Sequence, residues 1–215
     1  MTEEEWLTYE EPFQMLELLH PRDRRFKRFR WFRKRSRIAD VSERKLRLFG
    51  VACCRRIWDS MWEGCHPGVE AAEQFAEGTA GVEALAKARL ACLGDTVAIR
   101  AAASAAEWVL GGDSGPLDLT DPYQQREACQ QAALLRDIFG NPFRPVARDP
   151  AWLTSDVLAL ACGMYESRDF GAMPILADAL QDAGCDNADV LAHCRDASAT
   201  HVRGCWVVDL VLGKG

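Results

Sequence analysis

Residues 193–205 read His-Cys-Arg-Asp-Ala-Ser-Ala-Thr-His-Val-Arg-Gly-Cys, two histidines and two cysteines in thirteen positions. Imidazole nitrogen and thiolate sulfur are the donors that tetrahedral zinc accepts. A metal reading takes its ligands from Cys185, His193, Cys194, His201 and Cys205, with His201 and Cys205 on one face if their segment is helical. The spacing departs from known zinc modules: there is no C-x2-C knuckle, and the step from Cys185 to His193 runs through a predicted helix. A Cys–His nucleophilic pair from the same residues would need an exposed thiolate of low pKa and a third group to orient the imidazole. The local sequence supplies no such group. The remaining reading is structural: a turn feeding an apolar C-terminal helix, with His201 bonding a neighbouring carbonyl, Cys205 buried, and Gly204 admitting a close neighbour. The apolar composition of that helix favours the structural reading. No catalytic residue and no cofactor is assigned on it, and zinc stands as the alternative.

A second constellation is electrostatic. Arg22, Arg24, Arg25, Lys27, Arg28, Arg30, Arg33, Lys34, Arg35 and Arg37 are interleaved with Phe26, Phe29, Trp31 and Phe32. Guanidinium forks suit phosphate and aromatic faces can stack on unpaired bases, so the stretch could contact nucleic acid. In a helix, Phe26, Phe29 and Phe32 fall near one side, and the aromatics would then anchor the stretch while its cations face a protein partner. The protein-facing reading is preferred, with nucleic acid as the alternative. Two weaker signals carry less. Gly111–Pro116, GGDSGP, shares a GDSG core with the nucleophile loop of trypsin-like proteases, but those are β-barrel proteins and this chain reads as helical. Asp178 and Asp182 are four apart, yet no Glu-x-x-His accompanies them as a di-metal site would need.

Bulk properties narrow the class. The 215 residues suffice for one large domain or two small ones, and 48% hydrophobic with 27% charged residues is globular composition. No apolar run approaches the roughly 18 to 20 residues that cross a bilayer, and the first residues are acidic where a secretory signal would be basic. Nine cysteines, an odd number that includes the adjacent Cys53 and Cys54, do not resemble a secreted disulfide framework. A cytoplasmic protein is expected, without a membrane partner. The net charge of −6 conceals segregation: residues 1–21 carry six acids and no Lys or Arg, and residues 22–56 carry fifteen basic against three acidic residues. Segregation of this kind marks a nucleic-acid contact or the pairing of opposite faces within one body.

The elements that must position these residues read as helices throughout. Pro12 begins an apolar-periodic run through Phe13, Leu16 and Leu19, and Ser42 can cap the next helix. In that helix Leu46, Phe49, Cys53, Ile57, Trp58 and Met61 recur at spacings of three and four, which predicts about five turns with one buried face. Val69–Ala76 forms a shorter helix that Gly78 can close, and Val82–Leu93 and Thr96–Leu110 are alanine-rich helices. Another runs from Pro122 to Phe139, with Gly140 at its C-terminal cap. Three prolines in residues 140–152 break regular structure. Helices follow at Ser155–Arg168, Met173–Ala183 and Ala188–Cys194, and the last spans His201–Leu212, apolar on nearly all sides. The expected architecture is an all-α, irregular multi-helix bundle with solenoid-like helix pairs at its C-terminal end. Residues 1–139 would form a first helical subdomain carrying the basic-aromatic arm at 22–37. Residues 140–152 would be an ordered crossing, and residues 153–215 a second subdomain packed on the first.

Two segments, ERKLRLFGVACCRRIW at Glu43–Trp58 and the stretch from Leu134 to Lys214 that ends in HVRGCWVVDLVLGK, resemble a large paralogous family of uncharacterised planctomycete bacterial proteins. The resemblance covers nearly half the chain. It implies a bacterial cytoplasmic protein, carries no activity, and places the chain's individuality in Arg22–Arg37, where the family has only a short link. The combined expectation is a non-enzymatic interaction or assembly module of a bacterial cytoplasmic complex. The alternatives are a nucleic-acid-binding protein using residues 22–37 and a zinc- or thiol-dependent protein centred on residues 185–205.

Overall fold

Thr2 opens the first helix, α1 (Glu3–Thr8), with a reciprocal capping box. Its hydroxyl accepts from the Glu5 amide at 3.2 Å while the Glu5 carboxylate accepts from the Thr2 amide at 2.6 Å. Pro12 then starts α2 (Pro12–Leu19), where its missing N–H removes no helical bond. Ser42 caps α3 (Glu43–Arg56) by accepting from the Lys45 amide. α4 (His66–Ala76) ends at Gly78, which is left-handed at φ +71°, and α5 (Val82–Ala91) follows. The long α6 (Pro122–Phe139) stops at Gly140. Thr154 caps α7 (Ser155–Ser167), and α8 (Met173–Asp182), α9 (Ala188–Arg195) and α10 (Trp206–Leu212) complete the chain. The computed structural model describes residues 1–19, 42–61, 63–91 and 122–215, and among them every regular element is a helix and none a strand. The architecture is the all-α multi-helix bundle that the periodicity predicts. No described helix is long and apolar enough to cross a membrane. The basic-aromatic residues Arg22–Arg37, the expected helix Thr96–Leu110 and the Gly111–Pro116 loop lie outside the described residues.

Two predicted helices end differently, and both differences have a local cause. α3 stops at Arg56 rather than running on to Met61: Ile57 leaves the helical region, and Trp58–Ser60 form a 3-10 turn. The turn lets Trp58 stack on His66 with ring centroids 3.8 Å apart, while Met61 is buried beside Val51, Cys65 and Val69. The apolar spacing was real, but part of it serves a turn. The final helix begins at Trp206, not His201. Gly204 sits at φ +99°, where a Cβ would lie 3.0 Å from Leu48 Cδ1, so the backbone must turn close against α3. His201 and Cys205 therefore share no helical face. Nor is α10 apolar all round, since Trp206, Leu210 and Leu212 are half-buried and the buried face includes Asp209.

Apolar packing divides into an N-terminal and a C-terminal part. Trp6, Met15, Leu16, Phe49, Leu135 and Ile138 centre a cluster drawn from α1, α2, α3 and α6. Val157, Met164, Leu176, Leu180, Val190 and Val208 centre another drawn from α7 to α10. Polar bonds brace the N-terminal part internally, and an ion pair ties it to the C-terminal part. Trp6 Nε1 donates to the Gly140 carbonyl at 2.9 Å, and Lys45 Nζ donates to the Ile138 carbonyl at 2.9 Å. Gly140 (φ +64°) is pressed on its other side by Trp206, whose Cγ would lie 3.0 Å from an added Cβ. Arg44 of α3 reaches across to hold both carboxylate oxygens of Asp209 on α10, at 2.7 and 3.2 Å.

Candidate metal centre

Asp137 is the third residue from the C-terminal end of α6 and only 3% exposed, on a helix whose residues Leu134, Leu135 and Ile138 are core. A carboxylate there requires partners. One oxygen, Oδ2, accepts from the Val202 amide at 2.9 Å, which ties the turn before α10 to the end of α6. The other oxygen, Oδ1, lies 2.8 Å from His201 Nδ1 and 3.2 Å from His193 Nε2. His193 is delivered by the last turn of α9, and His201 by the segment before α10. Cys205, at the N-terminal end of α10, completes the group with Sγ 3.2 Å from His193 Nε2 and 4.0 Å from His201 Nδ1. The four donor atoms all lie within 4.8 Å of one another.

The electrostatics follow from burial. Desolvation alone would raise the Asp137 pKa, but the bonds to His193 and His201 more than offset it and hold the carboxyl below the ordinary range. Burial pushes the Cys205 thiol well above its ordinary value, and the nearby Asp137 charge acts in the same direction. His201 Nε2 is buried with no hydrogen-bond partner among the described residues, so this ring is anchored through Nδ1.

That geometry separates the chemistries that the sequence left open. A thiol relay needs the sulfur on one imidazole nitrogen and the orienting carboxylate on the other. Here Cys205 Sγ and Asp137 Oδ1 both face the same atom, His193 Nε2. The thiol is also fully buried and held protonated, the opposite of a reactive cysteine. One carboxylate oxygen, two imidazole nitrogens and one sulfur converge instead, donor types that a metal ion can accept. Of the candidates read from the sequence, the structure joins His193, His201 and Cys205. Cys185 and Cys194 are outside the group, buried in the C-terminal apolar cluster, and burial raises the Cys194 thiol to about 12. His201 faces a carboxylate 64 residues away rather than a neighbouring carbonyl. Asp137 escaped the sequence reading; its only signal was an acid set among the apolar residues of a core helix face.

A second polar region lies where α4 meets α7 and the C-terminal segment, over a cleft of about 780 Å³. Glu73, buried on α4, receives Arg55, Arg168 at 2.8 Å and Arg203 at 3.1 Å. Glu77 receives Arg44 at 3.2 Å, Lys214 at 3.1 Å and the Tyr165 hydroxyl. Desolvation would raise both acids, but bonds from Arg168 and Arg55 hold Glu73 below the ordinary carboxylate range. Bonds from Tyr165 and Lys214 do the same for Glu77. Burial and the Glu77 carboxylate push the Tyr165 hydroxyl upward. Elsewhere Asp178 is exposed and paired with Arg195 at 2.9 Å, a solvated pair rather than a site.

Comparison of the chain with protein-family models, curated proteins and solved structures finds no match.

Proposed function

We propose that the chain is a non-enzymatic interaction or assembly module, working within a bacterial cytoplasmic complex. The observation that carries this reading is the state of the acids and bases in the cleft of about 780 Å³ beside α4 and α7. General acid–base chemistry needs a group whose pKa lies near the working pH and whose proton can reach a substrate. Glu73 and Glu77 are held ionised by three cationic or hydroxyl partners each, and Tyr165 is held protonated. The sulfur of the Asp137 group is likewise sealed from solvent. Charged side chains so consumed by one another define a rigid shape rather than a reacting centre, which suits a surface read by a partner. The resemblance of Glu43–Trp58 and Leu134–Lys214 to a planctomycete family agrees with a bacterial setting and assigns no activity.

The test is native co-purification of the full chain, with bound proteins and nucleic acids both identified. A stoichiometric protein partner is expected, and recovery of the chain alone would overturn the reading. A nucleic-acid partner would instead favour the alternative through Arg22–Arg37. In that case mobility shifts should weaken steeply with salt and vanish when Arg30, Arg33 and Lys34 are reversed in charge.

A further inference from the structure

We propose that Asp137, His193, His201 and Cys205 bind one zinc ion, which clamps the C-terminal helices onto α6. The inference is independent of the interaction reading and begins with the distances. Zinc bonds of about 2.0–2.3 Å to oxygen, nitrogen and sulfur in a tetrahedron place neighbouring donors about 3.3–3.6 Å apart. Four of the six donor separations are 2.8, 3.2, 3.2 and 4.0 Å, which straddle that range, and all six lie within 4.8 Å. Small shifts of side chains already in place would complete the tetrahedron.

Direction supports distance. An imidazole nitrogen has a single in-plane lone pair or proton, and His193 Nε2 stands equally far, 3.2 Å, from an oxygen and a sulfur. One proton cannot point well at both, whereas a cation between the four atoms accepts from each. The supporting contact is also present: Asp137 Oδ2 is engaged by the Val202 amide, which orients Oδ1 inward as a single-oxygen ligand.

Charge and softness choose the ion. A carboxylate, a thiolate and two neutral imidazoles sum to two negative charges, so a divalent cation leaves the buried site neutral. A mixture of one sulfur, two nitrogens and one oxygen suits zinc better than calcium or magnesium, which take oxygen ligands. Four protein donors and a fully buried sulfur leave no open coordination position, the mark of a structural rather than catalytic centre. The ligands come from α6, α9 and the segment leading into α10, so one ion would brace three elements that meet across the two apolar clusters.

The full chain, purified without a histidine tag, should carry about one zinc per molecule, since a structural site of ordinary affinity survives purification. After removal of zinc, added cobalt should give the ligand-field spectrum of a tetrahedral ion together with a thiolate-to-cobalt charge-transfer band. Cys205→Ser should abolish that band, whereas Cys194→Ala and Cys185→Ala should retain both the band and the zinc. Zinc below about 0.2 per chain in folded protein, with no cobalt band, would overturn the proposal. So would a charge-transfer band that survives Cys205→Ser and disappears in Cys194→Ala. If Cys205→Ser does not fold, the wild-type zinc content and cobalt spectrum still decide the matter.

Discussion

The Asp137 group and the Glu73–Glu77 cleft solve one problem by different chemistry. Both join N-terminal helices to the C-terminal part, and both place carboxylates out of water, where an unpaired charge is costly. In the cleft the counter-charges are built into the chain: Arg55, Arg168 and Arg203 surround Glu73, and Arg44 and Lys214 surround Glu77. Around Asp137 the contacting side chains are imidazoles and a thiol, which offer lone pairs rather than fixed positive charge. The cleft is thus electrically complete in itself, while the Asp137 group has the composition of a site completed by a cation from solution. The difference teaches that a buried acid alone says little about function; the chemical type of its partners decides whether it is a strut or a ligand.

The comparison can be broken by experiment. The largest effect is expected for Asp137→Ala, which strips His201, His193 and the Val202 amide of their shared acceptor. A loss of about 4 kcal/mol is expected, in line with breaking a buried charged network from one side. Denaturant unfolding measures it, and a loss below about 1 kcal/mol would place this junction on the periphery of the fold. A strong chelator should lower the Tm of the wild type and leave that of Asp137→Ala unchanged.

Arg44→Met should cost somewhat less, about 3 kcal/mol, because it strands Asp209 inside α10 while Lys214 and Tyr165 still serve Glu77. Burial pushes the Asp209 pKa upward even with Arg44 in place, so this acid depends on its partner. The same chelator should shift the Tm of Arg44→Met as far as it shifts the wild type. Unequal shifts would mean that the two junctions are coupled.

Acid should act on the cleft. Glu73 and Glu77 have folded pKa values below their unfolded ones, so the unfolded chain binds protons more readily. Their contribution is fully present above the unfolded value of about 4.3 and is lost as pH falls through the lowered folded value. Tm measured downward from pH 5 should decline, and Glu73→Gln should flatten part of that decline. An unchanged profile in Glu73→Gln would remove Glu73 from the acid response. The smallest effect belongs to Arg195→Ala on the exposed Asp178 pair, below about 1 kcal/mol and further reduced by salt.

Much of the fold was legible because helices announce their ends locally. Ser42, Pro12, Gly78 and Gly140 mark boundaries by capping, by a missing N–H, or by tolerance of positive φ. Periodicity misled at Ile57–Met61, where no breaker stands, and at His201–Cys205, where Gly204 marks the turn. In both places Met61 and Cys205 are buried as the pattern implies, while tertiary contacts hold the backbone in a turn: Trp58 on His66, and Gly204 on Leu48 with the Val202 amide on Asp137. The site was half legible. His193, His201 and Cys205 stood out by type within thirteen residues. Asp137 carried no motif.

The sequence by itself determined the all-α class and most helix boundaries, and it offered His193, His201 and Cys205 among five candidate ligands, since propensity, capping and residue chemistry act over a few neighbouring positions. Only the tertiary structure decided that Cys185 and Cys194 are core residues while Asp137 joins the histidines. It alone decided that sulfur and carboxylate meet on one imidazole nitrogen, which disfavours a thiol relay and favours a metal. Those outcomes depend on where α6, α9 and α10 pack. That packing is set by apolar burial and long-range ion pairs over the whole bundle, which no short window of sequence contains.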